Sequence, residues 1–259
     1  VEGEAFTRSR NVTVQLTAAG AGQMCLWGDY TTSPEDQCVA ESNGWEVFSG
    51  TRALVLTTGD AVKTLTVKFR DAALWSAATS PSATVTYDAS GPTPGRLVLR
   101  GYGKDDAEDA NYTNRETIKV QLIGFTDLIS IAELQVASSA ETCGFGGAIW
   151  QPYEYDTNSA DTVTVYHSLN GADGSKNVCA RTRDAAGNVS AKVEGSIALD
   201  RAAPSFSVAI SGEGSGGAST SDYTRTRNVR VALDGGDGSG SGVSQMRFSR
   251  TGSFADVDW

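Results

Sequence analysis

Runs in which every second residue is apolar dominate this chain. Thr117-Ile118-Lys119-Val120-Gln121-Leu122 alternates at period two, the pattern of a strand with one face in a core. An aromatic residue and a threonine precede it, and the whole unit recurs. It reads Phe6-Thr7-Arg8-Ser9-Arg10-Asn11-Val12-Thr13-Val14-Gln15-Leu16 in the first copy and Tyr112-Thr113 through Leu122 in the second. The third copy is Tyr223-Thr224-Arg225-Thr226-Arg227-Asn228-Val229-Arg230-Val231-Ala232-Leu233. The copies lie 106 and 111 residues apart, the length of one small all-β domain.

That period organises the other strands. Ahead of Tyr112 runs Pro92 to Gly101, and ahead of Tyr223 runs Pro204 to Gly212, each a proline-led strand closing in glycine. Residues 1–5 hold no counterpart. After the shared strand, Gln23-Met24-Cys25-Leu26 matches Gln245-Met246-Arg247-Phe248, with Met24, Leu26, Met246 and Phe248 expected to point inward. Trp45, Trp150 and Trp259 then mark one phase of the repeat and read as core or sheet-covering residues, a sugar-stacking platform being the sharper alternative. Lys63 to Ala73 aligns with Lys176 to Ala186, placing Leu65, Val67 and Phe69 toward the core and Lys68 and Arg70 toward solvent. Gly187-Asn188 supplies a turn in the second unit, whereas Leu74-Trp75 at that place predicts a turn built differently in the first. A last strand ends each unit in a short proline linker, Asp88 to Pro92 and Asp200 to Pro204. The expected domains are therefore residues 1–90, a unit without its first strand; 91–203, a complete unit; and 204–259, the N-terminal half of a third. Short proline linkers imply units strung end to end. A segment of a longer array is the plain reading of the incomplete ends, and strand donation between copies the sharper one.

Charge narrows the partners. A net charge of −10, most of it in the first two units, disfavours binding to nucleic acid or anionic lipid. No apolar run is long enough to span a bilayer, no signal peptide is evident, and Val1 reads as a processed or cut start. Four cysteines fall two per unit, Cys25 with Cys38 and Cys143 with Cys179. Of the three possible connectivities, pairing within each unit closes loops without crossing a boundary; free structural thiols are the alternative. Without a CxxC spacing, and with His167 as the single imidazole, zinc is disfavoured. Disulfides would place the chain in an oxidising, extracellular or cell-surface setting.

These residues resemble a known family. The order aromatic-Thr strand, Gly242-Val243-Ser244-Gln245-Met246-Arg247-Phe248-Ser249, tryptophan, Arg183-Asp184-Ala185-Ala186-Gly187-Asn188-Val189-Ser190, then Asp-x-x-x-Pro is similar to the bacterial immunoglobulin-like repeats of large secreted and surface proteins. Inserted loops at 26–44 and 123–149 depart from that pattern. The resemblance implies all-β, tandem immunoglobulin-like sandwiches serving as stalks, adhesins, fibres or spacers, with no catalytic residues to transfer.

Catalysis finds little support in the residues themselves. His167 sits in an ordinary strand, as a surface histidine, with no nucleophile turn nearby. Metal binding is the more serious chemistry: Asp105, Asp106, Glu108 and Asp109 crowd the loop before Tyr112, the kind of oxygen-rich loop calcium uses, although a solvated acidic loop is the plainer reading. Asp234 to Gly240 is a second oxygen-rich loop, read as a flexible turn. Asn11, Asn111 and Asn188 begin glycosylation sequons that occur readily by chance. The reading that results is a non-catalytic, extracellular structural or adhesive stalk or fibre segment, with calcium as a possible ligand. Its partners are neighbouring units of the same or another copy, or a cell-surface protein or glycan. The alternative is a carbohydrate-binding or spacer region of a secreted hydrolase.

Overall fold

A computed structural model describes residues 6–31, 38, 43–139, 141–214, 216, 218–238 and 240–249. The chain is all-β, and its strands fall into three consecutive sets. In the first set, β1 (Phe6–Thr7), β3 (Gln23–Gly28), β4 (Glu46–Val47), β6 (Ala61–Arg70) and β7 (Ser82–Tyr87) form one sheet in the order β1-β7-β6-β3-β4. There β2 (Asn11–Gln15) and β5 (Thr51–Val55) form the other. The second set adds β8 (Arg96–Tyr102), β9 (Glu108–Asp109), β10 (Tyr112–Thr113), β11 (Thr117–Ile123), β12 (Ile131–Ser139), β13 (Gln151–Pro152), β14 (Thr162–Ser168), β15 (Gly174–Asp184) and β16 (Val193–Leu199). They make two sheets, β10-β16-β15-β12-β13 and β14-β11-β8-β9. The sheets close on a core led by Ile118, Val120, Leu122, Leu134, Val178 and Leu199, all fully buried, and together they make a sandwich. Alternation along β11 sends Ile118, Val120 and Leu122 inward and Lys119 and Gln121 outward, which is why this register is specified.

The first set repeats this with a smaller core: Met24, Leu26, Leu54, Leu56 and Val67 are buried, with Leu65 and Phe69 packed at its margin. Met24 and Leu26 face inward as the spacing predicts. Their third-unit counterparts do not. Met246 and Phe248 are exposed, as are Phe206, Val208, Ile210, Val231 and Leu233 on β17 (Ser205–Glu213) and β19 (Arg230–Gly236), which with β18 (Ser219–Thr220) form a single sheet. Inward-pointing side chains need a facing sheet, and among the described residues of this set there is none.

The aromatic-Thr motif marks where the chain crosses between sheets. Tyr112-Thr113 pairs in parallel with Ala198-Leu199, and Phe6-Thr7 with Thr86-Tyr87. The threonine hydroxyl then closes a tight turn on the residue two ahead. Thr113 Oγ1 donates to Arg115 O at 3.0 Å and accepts from Arg115 N at 3.2 Å, and Thr7 and Thr224 repeat both bonds. Thr113 is fully buried and also accepts from Tyr102 N at 3.1 Å; Thr224 accepts from Glu213 N in the same way. Glycine at the end of the preceding strand follows from this crossing. A β-carbon on Gly101 would strike Tyr112 O and lie 2.5 Å from Thr113 Cβ, and one on Gly212 would strike Tyr223 O and Thr224.

Both disulfides form within their units, Cys25–Cys38 and Cys143–Cys179. Cys179 leaves the core face of β15 free for Val178 and Ala180 and, with Cys143, makes a separate cluster with Ala137, Phe145 and Ala148. The inserted loop carrying Cys143 is thus pinned to a sheet's outer face.

A second expectation fails. The turn at Leu74-Trp75 is built like that at Gly187-Asn188. Trp75 N donates to Asp71 Oδ1 and Asn188 N to Asp184 Oδ1, each at 2.9 Å, and the flanking backbone bonds match pair for pair. The aspartate dictates the turn, so Leu74 is held at φ 67°, a left-handed conformation that side chains resist. Leu74 is largely exposed, so little packing opposes its replacement. Leu74→Gly is expected to stabilise the first unit by about 1 kcal/mol, read as a higher urea midpoint at unchanged slope. A lower midpoint would show that the leucine packs more than it strains.

Candidate junction site

The acidic loop before Tyr112 does not gather its carboxylates. A 3-10 turn at Lys104–Asp106 puts Asp105 and Asp106 in left-handed conformations and spreads their side chains. Asp106 pairs with Arg115, Glu108 with Lys119 at 3.0 Å, and Asp109 Oδ1 accepts from Asn111 N at 2.7 Å and Tyr112 N at 3.2 Å. Those amide bonds hold the Asp109 carboxyl below its ordinary range. Local cations and amides thus engage Asp106, Glu108 and Asp109 one by one, and the carboxylates that converge among the described residues lie elsewhere. The expected calcium site at Asp105, Asp106, Glu108 and Asp109 is therefore not assembled.

Carboxylates converge instead where the first two units meet. Asp88 directly follows β7, Asp127 lies in the loop after β11, and Asp184 ends β15; one oxygen from each falls within 4.8 Å of the others. Asp88 is fully buried, and neither of its carboxylate oxygens has a hydrogen-bond partner; Asp127 Oδ2 has none either. Asp184 is oriented by Asn188, whose Nδ2 donates to Asp184 Oδ2 at 2.9 Å and to Asp88 O at 3.0 Å. Burial, reinforced by Asp127, Asp184 and Asp60, pushes the Asp88 carboxyl up to about 6. Burial and Asp184 raise Asp127 as well. Such an arrangement can take a proton or a hard cation, and its ligand atoms are all oxygen.

The linker around it is held from both sides. Asp60 accepts from Ala89 N at 3.2 Å and Ser90 N at 3.0 Å, tying the linker to the first unit. Toward the second unit, Pro92 is buried, and a β-carbon on Gly91 would lie 2.6 Å from the carbonyl carbon of Val189. Arg8 Nη1 also reaches Gly187 O at 3.3 Å. Asp173 repeats the role of Asp60, accepting from Arg201 N at 2.8 Å and Arg201 Nε at 2.7 Å. The sequon at Asn188 is engaged in this junction through its side-chain amide.

The other singled-out residues have structural partners. Trp45 lies beneath Arg70, with the guanidinium 4.2 Å from the ring centre, and Trp150 beneath Arg183 at 4.4 Å. The repeated tryptophan and the repeated arginine thus cover one sheet together, and each ring is half-buried. Trp259 lies outside the described residues. Trp75, in contrast, is 78% exposed. His167 is not a surface histidine. It is half-buried, and its Nε2 lies 2.9 Å from Ser138 Oγ on the facing sheet. Burial holds its imidazole below the ordinary value.

Comparison with known proteins adds one relationship. Residues 1–124 match the family model of type II transport protein GspH. The match spans the first unit, the linker and the second unit through β11; it includes Asp88 but neither Asp127 nor Asp184. No curated protein matches the chain. No helix of the described residues is long and apolar enough to cross a membrane.

Proposed function

We propose that this chain is a non-catalytic structural segment of an extracellular bacterial filament, stalk or fibre. In this reading residues 1–90, 91–203 and 204–259 are successive immunoglobulin-like units, and their neighbours are further units of this or another copy. The observation that carries it is the repeated, two-sided linker. Asp60 and Asp173 each fasten the linker that follows, and Gly91 seats it against the next unit, so orientation passes along the chain. The parallel aromatic-Thr crossing onto the last strand, present in the first two units, supports the immunoglobulin-like topology. Similarity to GspH, a pseudopilin, supports a filament context with other pseudopilin subunits as partners. The acidic surface disfavours nucleic acid as a partner.

Trp75 favours one second reading, a carbohydrate-binding or spacer region of a secreted hydrolase, because an exposed indole can stack on a sugar. Immunogold labelling of the source cells and of their sheared surface filaments separates the two. Label along filaments is expected, and label confined to the cell interior would overturn the proposal. Retention on polysaccharide, lost in Trp75→Ala, would select the second reading.

A further inference from the structure

We infer that the junction of the first two units is a divalent-cation site, built by Asp88, Asp127 and Asp184 and suited to calcium. It rests on the junction's geometry, whatever structure the chain belongs to. Three carboxylates with oxygens within 4.8 Å of one another repel strongly. The interior one, Asp88, is fully buried with both oxygens unpartnered. A buried carboxylate without a hydrogen bond is costly, and the usual remedies are a cationic side chain, backbone amides or a metal ion. Here the nearby donors bond mainly to other acceptors, and the Ser90 amide only partly offsets the burial of Asp88. Asn188 serves Asp184 and a backbone carbonyl, while the Ala89 and Ser90 amides serve Asp60. An ion would supply the missing partner.

The donor set defines the class. All the candidate ligand atoms are carboxylate oxygens, which suit calcium, magnesium or manganese rather than zinc or copper. The ligands come from a strand end, a loop and a turn on two different units, an irregular set. Calcium accepts such geometry, whereas magnesium demands near-octahedral order. Because one ligand belongs to the first unit and two to the second, the ion would lock their relative orientation.

The next junction repeats the design independently. Asp200 holds the linker position of Asp88, and Asp237 lies in the loop that corresponds to that of Asp127. Both contribute a buried oxygen without a partner, and both press on Gly240, where a β-carbon would lie 2.8 Å from Asp200 Oδ1 and 2.5 Å from Asp237 Oδ2. Their other oxygens accept from Ser241 N at 2.6 Å and Gly242 N at 2.9 Å. Two carboxylates make a weaker site than three. In the first unit the position corresponding to Asp127 is Ala21, so the pair is not repeated there.

The test is calcium titration of the chelator-treated full chain at neutral pH, by calorimetry and by melting. Saturating calcium is expected to raise the melting temperature of the first two units by about 5 °C or more. Magnesium at equal concentration should do less. Asp88→Asn and Asp127→Asn should each abolish the tighter binding event, while in chelator Asp88→Asn should melt above the parent because a repelling charge is gone. Asp106→Asn, in the acidic loop, should leave the calcium response intact. No calcium-dependent heat or melting shift at millimolar concentration would overturn the site. So would a response that survives Asp88→Asn and Asp127→Asn, or one lost in Asp106→Asn. If Asp88→Asn gains stability in chelator but the parent ignores calcium, the cluster holds a proton and the inference fails.

Discussion

Gly101→Ala is expected to lower the melting temperature of the second unit by about 10 °C or more, from a steric cost of about 3 kcal/mol. The new β-carbon would collide with Tyr112 O and crowd Thr113 Cβ at 2.5 Å and Ile197 Cδ1 at 2.9 Å. Two of these belong to the parallel crossing strand, whose threonine holds Tyr102 N and both backbone groups of Arg115. Relief therefore requires moving backbone, not turning a flexible side chain. Displacing Thr113 would also strand those backbone groups in a buried site, adding to the penalty. Gly103→Ala is the matched control. Its β-carbon would meet nothing closer than Tyr112 Cε2 at 3.6 Å, and a change within about 0.5 kcal/mol is expected. Calorimetry gives the shift, and hydrogen exchange should show β8 and β11 losing protection first. Equal effects of the two substitutions would show that the glycine is not required by the crossing.

The second large effect concerns the staples. Removing Cys143–Cys179 by paired alanine substitution is expected to cost about 4 kcal/mol, and removing Cys25–Cys38 about 3 kcal/mol, in the chain-entropy account. The order follows from the closed loops, with separations of 36 and 13 residues. Loss of the longer staple also frees the loop from the apolar cluster of Ala137, Phe145 and Ala148, so the gap should widen rather than narrow. Denaturant unfolding of the two double variants measures both costs. A reversed order would mean that packing around Cys25, rather than loop closure, dominates.

Much of the scaffold was legible because its signals are local. Period-two alternation located β2, β11 and β19, since a strand with one buried face must write that pattern into consecutive residues. The repeat phase supplied the cysteine pairing, and it placed the tryptophans on a sheet without revealing the arginines that cover them. Two single-residue readings gave way to a partner that the residue's own preference does not show. The carboxylate of Asp71 forces its turn on Leu74, whatever leucine prefers. His167 reads as a surface residue on its own strand and becomes a bridge because the facing sheet brings Ser138 within reach.

The candidate site was the least legible part. Acids are dense along the chain at Asp105, Asp106, Glu108 and Asp109, yet Arg115, Lys119 and nearby amides each draw off a carboxylate of that loop. Asp88, Asp127 and Asp184 are scattered, and a signal did exist in the repeated phase of Asp88 with Asp200 and of Asp71 with Asp184. The sequence by itself determined the strands and their period, because each answers to neighbours a few residues away. Only the tertiary structure decided which carboxylates meet. That depends on how a strand end of one unit abuts a loop and a turn of the next, and burial there removes the water that would otherwise keep the charges apart.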